Sequence, residues 1–217
     1  MISLDFDLEG RGKPAILCLG AHSDDLEIGA IGTILGLAQR FPSASVTWAV
    51  FGAAGQREEE ARASAQYCTA RFADPRIEVY SFRDGFFPAE AVAIKEQFEA
   101  LKAARWPDII FTHYRHDLHQ DHRMISDLTW QTFRDHLILE YEIPKYDGDF
   151  GSPNVFHALS DALREEKLAV LERFFSSQRS KRWFSRDTFS AVMRLRGIEC
   201  NSKTGFAEAF YCRKVVF

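Results

Sequence analysis

Two short segments of the chain concentrate side chains that can bind a metal ion. Residues 20–27 read Gly-Ala-His-Ser-Asp-Asp-Leu-Glu. Residues 113–122 hold four of the chain's seven histidines together with two aspartates. Imidazole nitrogens and carboxylate oxygens are both suitable zinc ligands. The two segments therefore predict metal chemistry.

The first segment allows two interpretations. His22 and Asp25 can bind one ion, which leaves Asp24 directed elsewhere and free to handle a proton. Alternatively, Asp24 caps the N-terminus of the following helix, and Glu27 completes a capping box three residues later. Both interpretations stay open at this point.

The second segment favours a functional role, because a solvated polar loop needs no such concentration of imidazole. Within it, packing or hydrogen bonding explains His113 and His116 at least as well as metal ligation does. The segment as a whole is therefore a stronger candidate than either of these two histidines.

Strand and helix signals alternate along the first two thirds of the chain, which predicts βαβ units and a parallel sheet. The predicted strands are residues 14–20, 45–51, 77–82, 108–112, 137–143 and 208–216. The predicted helices are residues 26–40, 58–72, 89–105, 122–133, 160–175 and 186–196. Residues 146–153 are predicted to be a loop by their Gly, Asp and Pro content. We expect a Rossmann-like α/β fold, a mostly parallel sheet with helices on both faces, in a single domain.

Both candidate segments follow predicted strands, the first and the fourth. These strands adjoin in common doubly wound orders, and ligands bind at the carboxyl ends of the strands. This arrangement would bring together His22, Asp25 and one distal histidine. Three protein ligands plus water is typical of a catalytic zinc site, whereas a structural site fills all four positions.

The two segments resemble motifs of a known enzyme family, the PIG-L/LmbE-like zinc N-deacetylases. His22-Ser23-Asp24-Asp25 resembles its A-H-P-D-D motif, and His119-Gln120-Asp121-His122 resembles its distal H-x-D-H motif. Ser23 is a departure, since the family usually has Pro there, and it removes a rigid turn element but no ligand. Weaker similarities occur at residues 55–57 with Glu60, at residues 82–85 and at residues 207–210. The resemblance extends along most of the chain and implies one deacetylase domain over residues 1–217.

The resemblance implies a role for each matching residue. It gives His22, Asp25 and His122 as zinc ligands and Asp24 as the general base. His119 would stabilise the oxyanion, and Asp121 would orient the His119 imidazole. Hydrolysis of an acyl amide independently requires a Lewis acid, an activated water and a positive group where charge develops. Another divalent metal can replace zinc at a site with two histidines and one aspartate.

Residues that contact the substrate are harder to predict. The resemblance places Arg57 and Asp84 near sugar hydroxyls, although a surface Arg at a helix start and an Asp in a turn explain them equally well. Residues 179–186 pack four cations around two aromatic side chains and could hold a phosphate or a nucleotide diphosphate. A solvated basic face is the simpler interpretation of that stretch.

Composition excludes several classes of protein. The formal net charge of −4 offers no general attraction to nucleic acid. Residues 1–7 lack the pattern of a signal peptide, and the chain has no apolar run long enough for a transmembrane helix. Its four cysteines form no C-x-x-C pair and indicate reduced thiols in a cytoplasmic protein.

Three functional hypotheses follow. The first is a zinc-dependent hydrolase that removes an N-acetyl group from a small-molecule amino sugar or sugar conjugate, and it leaves room for a homo-oligomer. The second is a zinc amidase acting on a thiol conjugate or another amide conjugate. The third is a non-catalytic Rossmann-type nucleotide-binding module, but Asp24 and Asp25 stand where its glycine-rich fingerprint would hold a pyrophosphate.

Overall fold

The computed structural model describes residues 12–216, and its core is a seven-stranded sheet. The strands are β1 Ala15–His22, β2 Ser45–Gly52, β3 Asp74–Val79, β4 Ile109–His113, β5 Leu137–Tyr141, β6 Val155–Ala158 and β7 Ala207–Tyr211. Their order is β3-β2-β1-β4-β5-β7-β6. The first five strands in this order are parallel, and β7 is antiparallel to both β5 and β6. The predicted α/β class and mostly parallel sheet are confirmed.

Helices cover both faces of the sheet. They are α1 Asp25–Gly29, α2 Ile31–Arg40, α3 Gln56–Thr69, α4 Ala91–Ala104, α5 Gln120–Thr132, α6 Asp161–Phe174 and α7 Arg186–Glu199. Ile16 and Cys18 of β1 pack with buried residues of α2, α3, α6 and α7, whereas Leu17 and Leu19 pack with those of α4 and α5. The alternation of side chains along one strand thus divides the core into two layers.

The structure departs from the predicted elements in several places. The last strand, predicted over residues 208–216, ends at Tyr211, where the next amide, that of Cys212, bonds to the Asn154 side chain. The helix predicted over residues 26–40 is broken at Ala30, whose φ of −143° lies outside the helical region. The third strand begins at Asp74, three residues before its predicted start. The strand β6 was not predicted, because it has only four residues, none of them fully buried, and offers too short a pattern to detect.

Gly29, at the end of α1, lies directly against the ring of Tyr141 on β5. A Cβ atom at Gly29 would lie 2.2 Å from the Cδ2 atom of Tyr141. Tyr141 in turn donates a hydrogen bond to the Leu19 carbonyl on β1 at 2.7 Å. A glycine is therefore required where the end of α1 packs against Tyr141 of β5.

The described part of the chain contains no helix that is both long enough and apolar enough to cross a membrane. Its cysteines, Cys18, Cys68, Cys200 and Cys212, are all free thiols, as predicted. Residues 1–7, in which we predicted no signal peptide, lie outside the described residues.

Candidate active site

The adjacent strands β1 and β4 place the two candidate segments side by side. Cys18 on β1 pairs with Phe111 on β4, so both strands point the same way and end at the same edge of the sheet. His22 ends β1, and Asp25 begins α1 three residues later. His122 lies in the first turn of α5, which follows β4. The predicted meeting of the two segments is what the structure shows.

His22, Asp25 and His122 form a compact triangle of buried ligand atoms. The Nδ1 atom of His22 lies 3.1 Å from the Nε2 atom of His122. Asp25 places one carboxylate oxygen 3.5 Å from the first of these nitrogens and the other oxygen 3.6 Å from the second. Ligands of a tetrahedral zinc ion lie about 3.3 Å apart, as follows from zinc–nitrogen bonds of about 2.05 Å. The spacing of the two nitrogens therefore fits such an ion, whereas each nitrogen lies nearest a different oxygen of Asp25. Among the described residues, the groups whose single ligand atoms lie within 4.8 Å of one another are His22, His119 and His122; His22, Asp84, His119 and Asp121; and Asp25, His113 and His122.

In both His22 and His122, the ring nitrogen that points away from the triangle, here called the outward nitrogen, faces a carboxylate. The Nε2 atom of His22 lies 3.2 Å from Asp121 and 3.1 Å from Asp84. The Nδ1 atom of His122 lies 2.9 Å from Asp117. Burial disfavours the charge of His22, but hydrogen bonds with Asp121, Asp25 and Asp84 raise its pKa well above the ordinary value, so a bound cation would replace a proton on its inward nitrogen. This carboxylate–histidine arrangement is typical of metal ligands.

The charges of the triangle follow from its burial and its neighbours. Burial and the nearby His113 lower the pKa of His122 to about 4, which keeps this imidazole neutral. Burial opposes the charge of Asp25, but His122 and His113 hold its pKa well below the ordinary value. A neutral imidazole and a charged carboxylate are the forms that bind a divalent ion.

Asp24 stands at the N-cap position of α1, yet its side chain makes no cap hydrogen bond. Its Oδ1 atom lies 3.2 Å from the Arg57 guanidinium, and its buried Oδ2 atom has no hydrogen-bond partner among the described residues. Glu27 accepts a hydrogen bond from Ser64 instead of closing a capping box. The capping interpretation is therefore wrong. Burial and the charge of Asp25 raise the pKa of Asp24, as suits a proton acceptor.

His119 is the N-cap residue of α5 and is half-buried beside the triangle. Its Nδ1 atom accepts a hydrogen bond from the Asp121 backbone amide at 3.3 Å, which leaves the ring proton on Nε2. Its ring meets that of His22 edge-on, with centroids 5.0 Å apart. Burial and the nearby His22 lower the pKa of His119. His119 is thus placed as a neutral hydrogen-bond donor.

Arg57 connects three residues at the mouth of the site. Its Nε atom donates to the Ser23 hydroxyl at 3.0 Å, and its two terminal nitrogens reach Asp84 at 3.0 Å and Asp24 at 3.2 Å. The Asp84 side chain is 55% exposed, so this pair borders solvent. The hydrogen bond with His22 lowers the pKa of Asp84. Arg57 and Asp84 thus lie beside Asp24, and their contact with a substrate stays a prediction.

The comparisons with known proteins agree with this geometry. The family model for PIG-L, described as GlcNAc-PI de-N-acetylase, matches residues 17–133. The chain belongs to the PIG-L family. This membership confirms the family predicted from the two motifs, and the matched span contains every residue of the triangle. No curated protein sequence matches the chain.

Several solved structures share the fold of this PIG-L family member. The N,N'-diacetylchitobiose deacetylase from Pyrococcus horikoshii has 18% identity and a TM-score of 0.68, over 96% of this chain and 87% of that one. A deacetylase of teicoplanin biosynthesis has 14% identity and a TM-score of 0.71, over 91% and 97%. The 4-carboxy-2-hydroxymuconate hydratase GalB from Pseudomonas putida has 17% identity and a TM-score of 0.69, over 94% and 98%. At these identities the likeness shows the fold alone.

One role expected from the family pattern differs in the structure. Asp121 was predicted to orient the His119 ring, but its side chain bonds to His22 and accepts from the backbone amides of Gly85 and Phe87. The reason is the helix geometry, because Asp121 lies in the first turn of α5 and points toward the loop before α4. Asp121 reaches His119 through its backbone amide.

The other two histidines of the second segment, His113 and His116, lie in different environments. His113 is buried and stacks on His122 with ring centroids 4.0 Å apart, and its Nε2 atom accepts from the Ala21 amide at 2.9 Å. His116 is exposed and meets Tyr114 edge-on. His113 thus supports the triangle, whereas His116 lies outside it.

The basic stretch over residues 179–186 is partly paired within the protein. Arg186 forms ion pairs with Glu165 and Glu172 of α6, and Arg179 donates to the Glu172 carbonyl. These pairs favour the simpler interpretation of a solvated basic face.

Sequence reasoning missed Asp117 and Lys145. Asp117 bonds to His122, and Lys145 lies 2.9 Å from the same carboxylate oxygen of Asp117. Asp117 stands inside the histidine-rich segment, which was the available signal. Lys145 follows β5, the strand beside β4, so only the strand order could have placed it near the site.

Proposed function

We propose that this protein is a metal-dependent N-deacetylase that hydrolyses the N-acetyl group of an amino sugar or sugar conjugate to a free amine and acetate. The observation that carries the proposal is the pair of facing imidazole nitrogens, 3.1 Å apart and closed by the Asp25 carboxylate. Family membership supports both the reaction and the requirement for a metal. We propose zinc as the ion, because it suits two imidazoles and one carboxylate.

His22, Asp25 and His122 would hold the ion. When bound, a divalent ion polarises an amide carbonyl and acidifies water. The Oδ2 atom of Asp24 accepts the proton of the attacking water, while Arg57 holds the Oδ1 atom. The Nε2–H of His119 donates to the oxygen that develops negative charge. Asp24 can then return the proton to the departing amine.

The exposed mouth of the site suits a sugar. Arg57 and Asp84 present a donor and an acceptor beside the base, and we propose that they bind sugar hydroxyls. We also propose that residues 1–217 form one domain of this family. A cytoplasmic location and a homo-oligomer stay predictions.

The decisive experiment measures acetate release by the zinc-loaded protein. The substrates are N-acetylglucosamine, N,N'-diacetylchitobiose, a nucleotide-linked and a lipid-linked N-acetyl sugar, and N-acylated cysteine conjugates. We expect acetate from at least one sugar, and loss of that activity when a chelator removes the metal. Turnover confined to the cysteine conjugates would instead favour the amidase hypothesis, and tight dinucleotide binding without metal would favour the nucleotide-binding module.

A further inference from the structure

Three charged and largely buried side chains lie in a row behind His122, on the side away from the triangle. The Oδ2 atom of Asp117 accepts from the His122 ring and lies 2.9 Å from the Lys145 ammonium. Lys145 also donates to Asp149 at 2.5 Å. The side chains of Asp117, Lys145 and Asp149 are only 2%, 9% and 7% exposed. Solvent therefore screens these charges little.

Asp117 holds both histidines of the distal motif. Its Oδ1 atom accepts from the His119 backbone amide at 2.7 Å, while its Oδ2 atom accepts from His122. Burial disfavours the charge of Asp117, but the hydrogen bond with His122 and the nearby Lys145 lower its pKa. A charged carboxylate at this position raises the basicity of the imidazole and so its affinity for a metal ion.

Lys145 contacts the same carboxylate oxygen of Asp117 and has the opposite effect on the basicity of His122. Its ammonium competes with His122 for the negative charge of Asp117, and it adds a positive charge behind the ligand. Lys145 lies in the loop after β5, and Asp149 of that loop accepts from the Leu118 amide at 2.7 Å. The loop is thereby tied to the segment that carries the distal motif.

We propose that Asp117 and Lys145 are opposed positioning residues for His122: the carboxylate tightens the hold of the site on a divalent cation, and the ammonium loosens it. The inference rests on the proposed metal site. It means that the metal affinity of this chain depends on the balance between these two charges as well as on the three ligands.

The test measures Zn²⁺ affinity by competition with a chromophoric chelator, and the Co²⁺ absorption spectrum, on the full chain. Asp117→Asn should bind Zn²⁺ about 10- to 100-fold more weakly than the parent. Lys145→Met should bind it about threefold or more tightly, because a nearby positive charge is lost. Asp127→Asn, on the exposed part of α5, and Lys95→Met, on α4, are the matched controls and should leave the affinity unchanged.

A purely structural role for the pair would weaken binding in both variants, so the opposite signs are the deciding result. Unchanged or weaker binding by Lys145→Met overturns the inference, as does unchanged affinity of a folded Asp117→Asn. If Asp117→Asn does not fold, as thermal unfolding of the metal-free protein would reveal, the Lys145→Met result alone decides. A parent chain that binds neither Zn²⁺ nor Co²⁺ overturns the metal site itself, which is a separate failure.

Discussion

Arg57 holds one carboxylate oxygen of Asp24 at 3.2 Å and leaves the other oxygen without a partner in the part of the chain that the structure describes. The two oxygens of one side chain are therefore unequal. One is fixed by a cation, and the other is available to a proton beside the facing histidines.

Asp24→Asn should abolish proton acceptance while leaving the triangle in place. We expect kcat on the best substrate to fall by about 10²- to 10⁴-fold, the usual contribution of a general base. Zinc content, measured by atomic emission, should stay at the level of the parent, because Asp24 is not one of the three proposed ligands. Near-normal turnover by this variant would show that another group accepts the proton.

Arg57→Lys should reduce activity without removing the positive charge. A lysine ammonium cannot bond at once to Ser23, Asp24 and Asp84 in the geometry of the guanidinium fork. Losing one or two charge-assisted hydrogen bonds predicts a fall in kcat/KM of roughly 10- to 100-fold, measured by acetate release. Arg62→Lys, one to two turns further along α3, is the matched control and should behave as the parent. Equal kcat/KM for Arg57→Lys and the control would exclude a role for the fork.

Gly29→Ala should destabilise the fold even though alanine is the better helix former. The added methyl group would overlap the ring of Tyr141, which is fixed by its hydrogen bond to Leu19. Overpacking of this kind costs about 1–3 kcal/mol. Urea unfolding should show a lower midpoint, and an unchanged midpoint would mean that Tyr141 moves without cost.

His136 should make the stability of the protein depend on pH. Its buried ring packs against Trp106 with centroids 4.2 Å apart and the two planes tilted by 37°, and burial lowers its pKa despite the adjacent Asp135. Because the unfolded chain binds this proton more readily, the contribution of His136 is complete above the ordinary pKa of about 6.5 and is lost as the pH falls below it. The melting temperature should therefore drop between about pH 7.5 and about pH 5.5.

A substitution isolates the part of this drop that His136 causes. His136→Phe keeps an aromatic ring against Trp106 but cannot be protonated, so its melting temperature should fall less over the same pH interval. The exposed His116, changed to Phe, serves as the control and should show the parent's full drop. An identical drop in all three proteins would remove His136 from the explanation.

The sequence predicted the place of the site better than its internal connections. His22 and His122 could be brought together because strands followed by polar clusters at the same sheet edge must meet there. The partner of Asp121 could not be predicted, since it depends on which way one carboxylate points from the first turn of α5. The strand β6 and the contact of Lys145 with Asp117 depend on how distant segments pack, which a local pattern does not encode.

The separation of His22 and His122 by 100 positions in the chain constrains when the protein can acquire its ion. A nascent chain that has not yet produced α5 carries only His22 and Asp25 of the triangle, too few ligands for a tight complex. The ligands meet only when the long chain segment between them brings its two ends together. The entropic cost of that closure is offset only when β1 and β4 pair. Metal loading should therefore follow folding instead of nucleating it, in contrast to small zinc-finger domains.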